Sequence, residues 1–98
     1  MIMANTVNFD KKLFDATEYL KSLGAKEIIL FGSLVDGTFD HYSDIDLAIS
    51  GISPRAYFTA IAVLPSLIEW KVDLVAIDHA RKDFAAYIRK YGKVIYAV

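Results

Sequence analysis

Cysteine is absent from this 98-residue chain, and proline (two), tryptophan (one) and glycine (five) are sparse. Without cysteine the redox compartment stays open. Without a Gly/Ser/Pro-rich stretch there is no linker on which to divide the chain, so residues 1–98 read as one domain, with about 1–7 expected to be disordered. A chain of this size buries roughly 65% of its unfolded surface and has no room for a second lobe, so any further lobe is expected to come from elsewhere. Internal repeats and low-complexity segments are missing too. No uninterrupted apolar span reaches bilayer length, and the start, Met1 to Val7, lacks a basic n-region and an apolar h-region; a cytoplasmic location with no membrane partner is expected. Excess charge of either sign is lacking as well. The formal net charge is -1, which argues against a nucleic-acid binder held by bulk positive charge.

What is plentiful is apolar surface: 55% of the residues are hydrophobic, which suits a folded protein. Phe9, Leu13, Ala16, Leu20 and Leu23 recur at helical spacing, Asn8 can cap the start, and Gly24 suits the left-handed position past the end, so the spacing predicts a helix over 9–23. Residues 27–31 form a short apolar run that reads as a buried strand delivering Gly32 and Ser33. Ser53-Pro54 signals a capped helix start, and Pro65 is expected to end or bend that helix. Residues 72–77 are apolar on both faces apart from Asp73, the pattern of a central strand. A last helix fits 80–91, with Phe84, Ile88 and Tyr91 on one side, and Gly92 releases the chain into a short terminal strand over 94–98. Interleaved strands and helices make the fold class α/β, a small mixed sheet flanked by helices.

The chemistry concentrates at Gly32-Ser33 and, ten residues later, Asp44-Ile45-Asp46. On a strand, side chains alternate, so Asp44 and Asp46 leave one face while Ile45, Leu47 and Ile49 leave the other. Neighbouring carboxylates repel unless a cation lies between them, and a hard divalent ion with positions open to phosphate is the usual answer. Mg2+ is the natural candidate. Gly32 allows close approach of backbone to phosphate, Ser33 offers a hydroxyl, and a turn into a helix presents N–H groups to a triphosphate. Alone, Asp-x-Asp more often decorates the exposed face of an edge strand. Asp73 tips the balance, because one acid amid Val72, Leu74, Val75 and Ile77 is costly to bury without a cation. Two other uses of Asp-x-Asp fit less well: the glycosyltransferase type needs a much longer chain, and the phosphatase type places its nucleophile at the end of the first strand.

Gly32-Ser33-Leu34-Val35-Asp36-Gly37 followed by Ser43-Asp44-Ile45-Asp46-Leu47 resembles the signature of the DNA polymerase beta nucleotidyltransferase superfamily in its minimal form. The resemblance covers nearly the whole chain. It implies a polymerase beta-like nucleotidyltransferase fold, Gly32 and Ser33 binding nucleotide, and Asp44, Asp46 and Asp73 as catalytic residues and ligands of Mg2+, two ions with nucleotide bound. It further implies transfer of AMP from ATP, with Asp73 as base toward an acceptor hydroxyl. Minimal domains of this kind are similar to antitoxins of two-gene pairs, whose all-helical HEPN-type partner supplies a tyrosine as acceptor. An inert antitoxin acting by binding alone, or a module modifying a small hydroxylated molecule, stands as the alternative.

The chain departs from relatives at Asp36, where they usually place a basic or neutral residue; the first turn of a helix is also where its dipole favours a carboxylate. His41 lies in the loop ahead of Ser43, which is expected to brace that loop through local backbone bonds. Arg81, Lys82, Arg89, Lys90 and Lys93 make the end basic, yet basic residues around an apolar stripe are ordinary on a helix surface, and nucleic acid is not an expected partner. After Ser53, Tyr57, Ile61, Leu64 and Ile68 make one apolar stripe and Ala56, Ala60, Val63 and Leu67 a second. The second is expected to dock a protein, either a second copy or the helical partner.

Overall fold

The computed structural model describes residues 9–98. The chain runs α1 (Asp10–Ser22), β1 (Glu27–Phe31), α2 (Ser33–Asp36), β2 (Ile45–Ser50), α3 (Pro54–Ile68), β3 (Val72–Ala76), a 3-10 turn (Ile77–His79), α4 (Lys82–Tyr91) and β4 (Lys93–Ala97). The expected cap Asn8 and the expected disorder over 1–7 lie outside the described residues. Within them α1 ends as its sequence requires, with Gly24 at φ +100°.

The four strands lie in the order β3-β2-β1-β4. β1 pairs antiparallel with β2 and with β4, while β2 and β3 run parallel. The sheet is therefore mixed, as expected. Alternation divides β1 and β2 between two cores. Ile28, Leu30, Ile45, Leu47 and Ile49 face Ala16 and Leu20 of α1 and Ala60, Leu64 and Ile68 of α3. On the opposite face Ile29, Phe31 and Ala48 meet Ile77 and Ile88, so α4 covers part of that side through a smaller apolar cluster. The face that carries Asp46 is thus half core.

Three expectations are corrected. The run containing Asp73 is not a central strand: among the described residues β3 has β2 as its only strand neighbour, and Asp73 is exposed. Its apolar neighbours are instead covered from above and below, Leu74 in the larger core and Val75 against the smaller one. Of the two outcomes expected at Pro65, a helix end is the one corrected, for α3 continues to Ile68. The backbone bond that Pro65 forgoes belongs to the carbonyl of Ile61 one turn earlier, and both residues lie on the exposed side, where water can serve that carbonyl. Finally, the stripe assigned to docking is in part core: Ala60 is fully buried and Leu67 packs against the main cluster, while Ala56 and Val63 stay half-buried, because α3 turns the seam between its two stripes toward α1 and the sheet. The apolar residues that α3 leaves outside are Phe58 and Ile61.

The start of α3 follows its sequence. Ser53 Oγ accepts the Ala56 N–H at 3.1 Å, and Pro54 occupies the first helical position.

Candidate active site

Register places three residues in one row across the sheet: Phe31 of β1 lies opposite Asp46 of β2, and Asp46 lies opposite Asp73 of β3. Paired residues on neighbouring strands share a face, so both acids project on the α4 side, at the end of the sheet where β1 passes into Gly32. Asp44 precedes β2 by one residue and is exposed. The aromatic flank is fixed, since Phe84 at the start of α4 meets Phe31 edge-on with 6.0 Å between ring centres.

Gly32 adopts φ 78° and ψ -150°, a conformation that side chains other than glycine's strongly disfavour. A β-carbon there would stand 2.1 Å from Asp46 Oδ2. The glycine therefore lets the carboxylate of Asp46 lie against the turn backbone. Beyond it the carbonyl of Gly32 accepts the N–H groups of Val35 and Asp36, both at 3.0 Å. Those of Ser33 and Leu34 belong to the first turn of α2, where backbone donors have no partner within the helix.

Charge accumulates around Asp46. Its carboxyl is pushed up to about 6, first by partial burial, then by the negative charges of Asp73 and Asp44. Among the described residues no cationic side chain pairs with Asp44, Asp46 or Asp73. Nor does any group of three or more His, Cys, Asp or Glu among those residues stand ready to hold a metal ion by itself. The structure thus brings Asp46 and Asp73 side by side, with Asp44 close enough to act on Asp46, but does not close them into a cage. That arrangement fits Mg2+, which is typically held by one or two carboxylates together with water and substrate phosphates.

The loop ahead of Asp44 is braced. Ser43 Oγ accepts the Asp40 N–H at 3.0 Å and donates to Asp40 Oδ1 at 3.1 Å, as expected of this serine. Trp70 Nε1–H donates to the Ser43 carbonyl at 2.7 Å, tying the loop to the segment before β3. No sequence signal marks that bond, since it joins residues 27 apart. Asp36 acts locally, accepting the Thr38 N–H at 3.0 Å and the Thr38 hydroxyl at 2.6 Å; these bonds close the turn after α2 and hold its carboxyl below the usual range. His41 is exposed, its ring 4.2 Å from that of Tyr42 and tilted 40° to it. Of the basic residues near the end, Arg81 pairs with Asp83 and Arg89 with Glu27, so two of the five answer acids on the molecule's own surface.

No helix among the described residues is long and apolar enough to cross a membrane. No curated protein matches the chain. Solved structures do. A toxin–antitoxin structure with AMP-PNP is 26% identical, with a TM-score of 0.76 over 91% of this chain and 73% of its own. A structure described as a proposed minimal nucleotidyltransferase gives 0.74 at 17% identity, over 91% and 97% of the two chains. A third, a tri-AMPylated Shewanella oneidensis HEPN toxin in complex with MNT antitoxin, gives 0.63 at 24% identity, over 89% and 73%. The last two speak for the fold alone. The family model described as "Polymerase beta, Nucleotidyltransferase" matches residues 15–98, which contain the Gly32-Ser33 turn, the Asp46–Asp73 pair and all four strands, and the chain accordingly belongs to the polymerase beta nucleotidyltransferase family.

Proposed function

We propose that this chain is a Mg2+-dependent nucleotidyltransferase, acting as one domain, that moves AMP from ATP to a tyrosine hydroxyl of a HEPN-type helical partner and so serves as its antitoxin. One observation carries the reading: the unpaired row of Asp46 and Asp73, with Asp44 beside it, ends against the Gly32-Ser33 turn in a nucleotidyltransferase fold. The 26% identical toxin–antitoxin structure with AMP-PNP supports the choice of an adenine nucleotide and of a toxin as partner.

In this mechanism the Gly32-Ser33 turn receives the triphosphate, with the Ser33 hydroxyl and the opening N–H groups of α2 as donors. Asp44, Asp46 and Asp73 would hold Mg2+, which supplies neutralisation of the charge that develops on the phosphate oxygens. Asp73, exposed at the open edge, accepts the proton of the acceptor hydroxyl. The acceptor oxygen then bonds to the α-phosphorus as the bond to pyrophosphate breaks. The partner's role is to hold that hydroxyl in line with the α-phosphorus, on which reactivity depends.

The test is co-purification with the product of the neighbouring gene, followed by intact mass after ATP and Mg2+ are added. A partner heavier by one or more AMP units is the expected result. A stable complex whose partner stays unmodified would leave binding alone as the mode of action, and absence of any complex would remove the antitoxin reading.

A further inference from the structure

At the β3 end of the carboxylate row lies a pocket of about 670 Å3 whose wall includes Asp73, Tyr57, Phe58, His79 and Phe84. It wraps around the free edge of β3, and neither Gly32 nor Ser33 lines it. Its walls are pinned. The Tyr57 hydroxyl donates to the Leu74 carbonyl at 2.6 Å, and Asp78 Oδ2 accepts the Gly51 N–H at 3.1 Å, joining the loop after β2 to the 3-10 turn. Phe84 is held edge-on by Phe31, and Phe58 by Tyr57 at 5.5 Å between ring centres. Phe58 nevertheless remains 68% exposed and Phe84 41%. Two rings are thus fixed on one side and bare on the other, on the rim of a cavity that an acid shares.

We propose that this pocket is the acceptor subsite, taking a phenolic side chain whose ring lies against Phe58 and Phe84 and whose hydroxyl reaches Asp73. The inference rests on the nucleotidyltransferase reading above and adds to it which surface selects the acceptor. In-line displacement requires the entering and leaving oxygens on opposite sides of the α-phosphorus. The pyrophosphate belongs to the Gly32-Ser33 turn beyond the β1 end of the row, so the acceptor must arrive from the β3 end, where the pocket opens. Its O–H bond breaks toward Asp73, its oxygen bonds to phosphorus, and pyrophosphate carries away the electron pair of the broken P–O bond. The aromatic walls decide the class of hydroxyl. Edge-to-face ring contacts reward a phenol and offer nothing to a serine or threonine side chain.

The experiment is a pair of titrations of the isotopically labelled full chain followed by amide NMR, one with N-acetyltyrosinamide and one with ATP and Mg2+. N-acetyltyrosinamide is expected to shift the amides of Phe58, His79 and Phe84, N-acetylserinamide to leave them in place, and ATP with Mg2+ to shift Gly32 and Ser33. Phe58→Ala is expected to weaken the tyrosinamide by roughly three- to tenfold, the range of one aromatic contact, and to leave the nucleotide titration unmoved. Phe14→Ala, an exposed ring on α1, should change neither. Failure of the tyrosinamide to shift the pocket, or nucleotide shifting Phe58 and Phe84 in its place, overturns the acceptor assignment. The nucleotide reading fails separately, if Gly32 and Ser33 do not respond to ATP and Mg2+.

Discussion

The carboxylate of Asp46 occupies the space that a side chain at Gly32 would need, with Oδ2 2.1 Å from the missing β-carbon. Glycine and aspartate are one unit, and Gly32→Ala tests it. The positive φ alone costs about 1–3 kcal/mol, and the displaced carboxylate adds to that. Denaturant melts should show the loss, and Asp46→Ala introduced on top should recover the contact part while leaving the backbone part. A Gly32→Ala chain that melts like wild type would mean the turn can rearrange freely.

Protonation of Asp46 should be visible in stability. Its folded-state carboxyl holds a proton up to about 6, against an ordinary value of 3.8, so it favours folding below about pH 4 and that contribution is lost as pH rises through 6. In metal-free buffer Asp46→Asn should melt close to wild type at the acid end and above it past pH 6. Parallel melting curves across this window would contradict the crowding of charge at the site.

Asp73→Asn separates chemistry from architecture. Because Asp73 is exposed on an edge strand, the variant should keep its melting temperature. Transfer should fall by roughly two or more orders of magnitude, within the reach of a general base. Unchanged turnover would exclude Asp73 as base.

Asp44→Asn and Asp46→Asn should each abolish Mg2+-stimulated transfer with the fold intact, since each removes ligand charge. ATP binding that is indifferent to Mg2+ in wild type would defeat the assignment.

Trp70→Phe removes the donor to the Ser43 carbonyl. A loss of roughly 0.5–1.5 kcal/mol is expected from the bond itself. The more telling readout is a raised KM for ATP with Mg2+ and little change in kcat, because the loop that delivers Asp44 loosens. An unchanged KM would show that Asp44 is positioned by β2 alone.

Much of this was legible in the sequence because it is written in local patterns. Strand 27–31, the capped start at Ser53 and the left-handed Gly24 each follow from a few adjacent residues. What was not legible depends on partners far along the chain. The apolar surroundings of Asp73 suggested burial between two strands, but β4 takes the far side of β1 and leaves β3 at the edge. The two apolar stripes of α3 were both visible, yet which of them meets α1 is settled by packing, and it is Ala60, Leu64 and Ile68 that lie inside. The alignment of Phe31, Asp46 and Asp73 is likewise a matter of register, which no single segment encodes.

The edge position of β3 divides the carboxylate row between two mechanical regimes. Asp46 belongs to β2, hydrogen-bonded on both sides and flanked by Ile45 and Leu47, which have almost no exposed surface. Its strand should surrender amide protons to solvent only through global opening, whereas β3, paired on one side, can fray at far lower cost. Asp46, beside the Gly32 turn, thus sits on a strand bonded on both sides, and Asp73 on one that among the described residues is bonded to a single neighbour. On the function proposed above, the end of the row that meets phosphate would be the stiffer one, and the end at Asp73 the one with room to adjust.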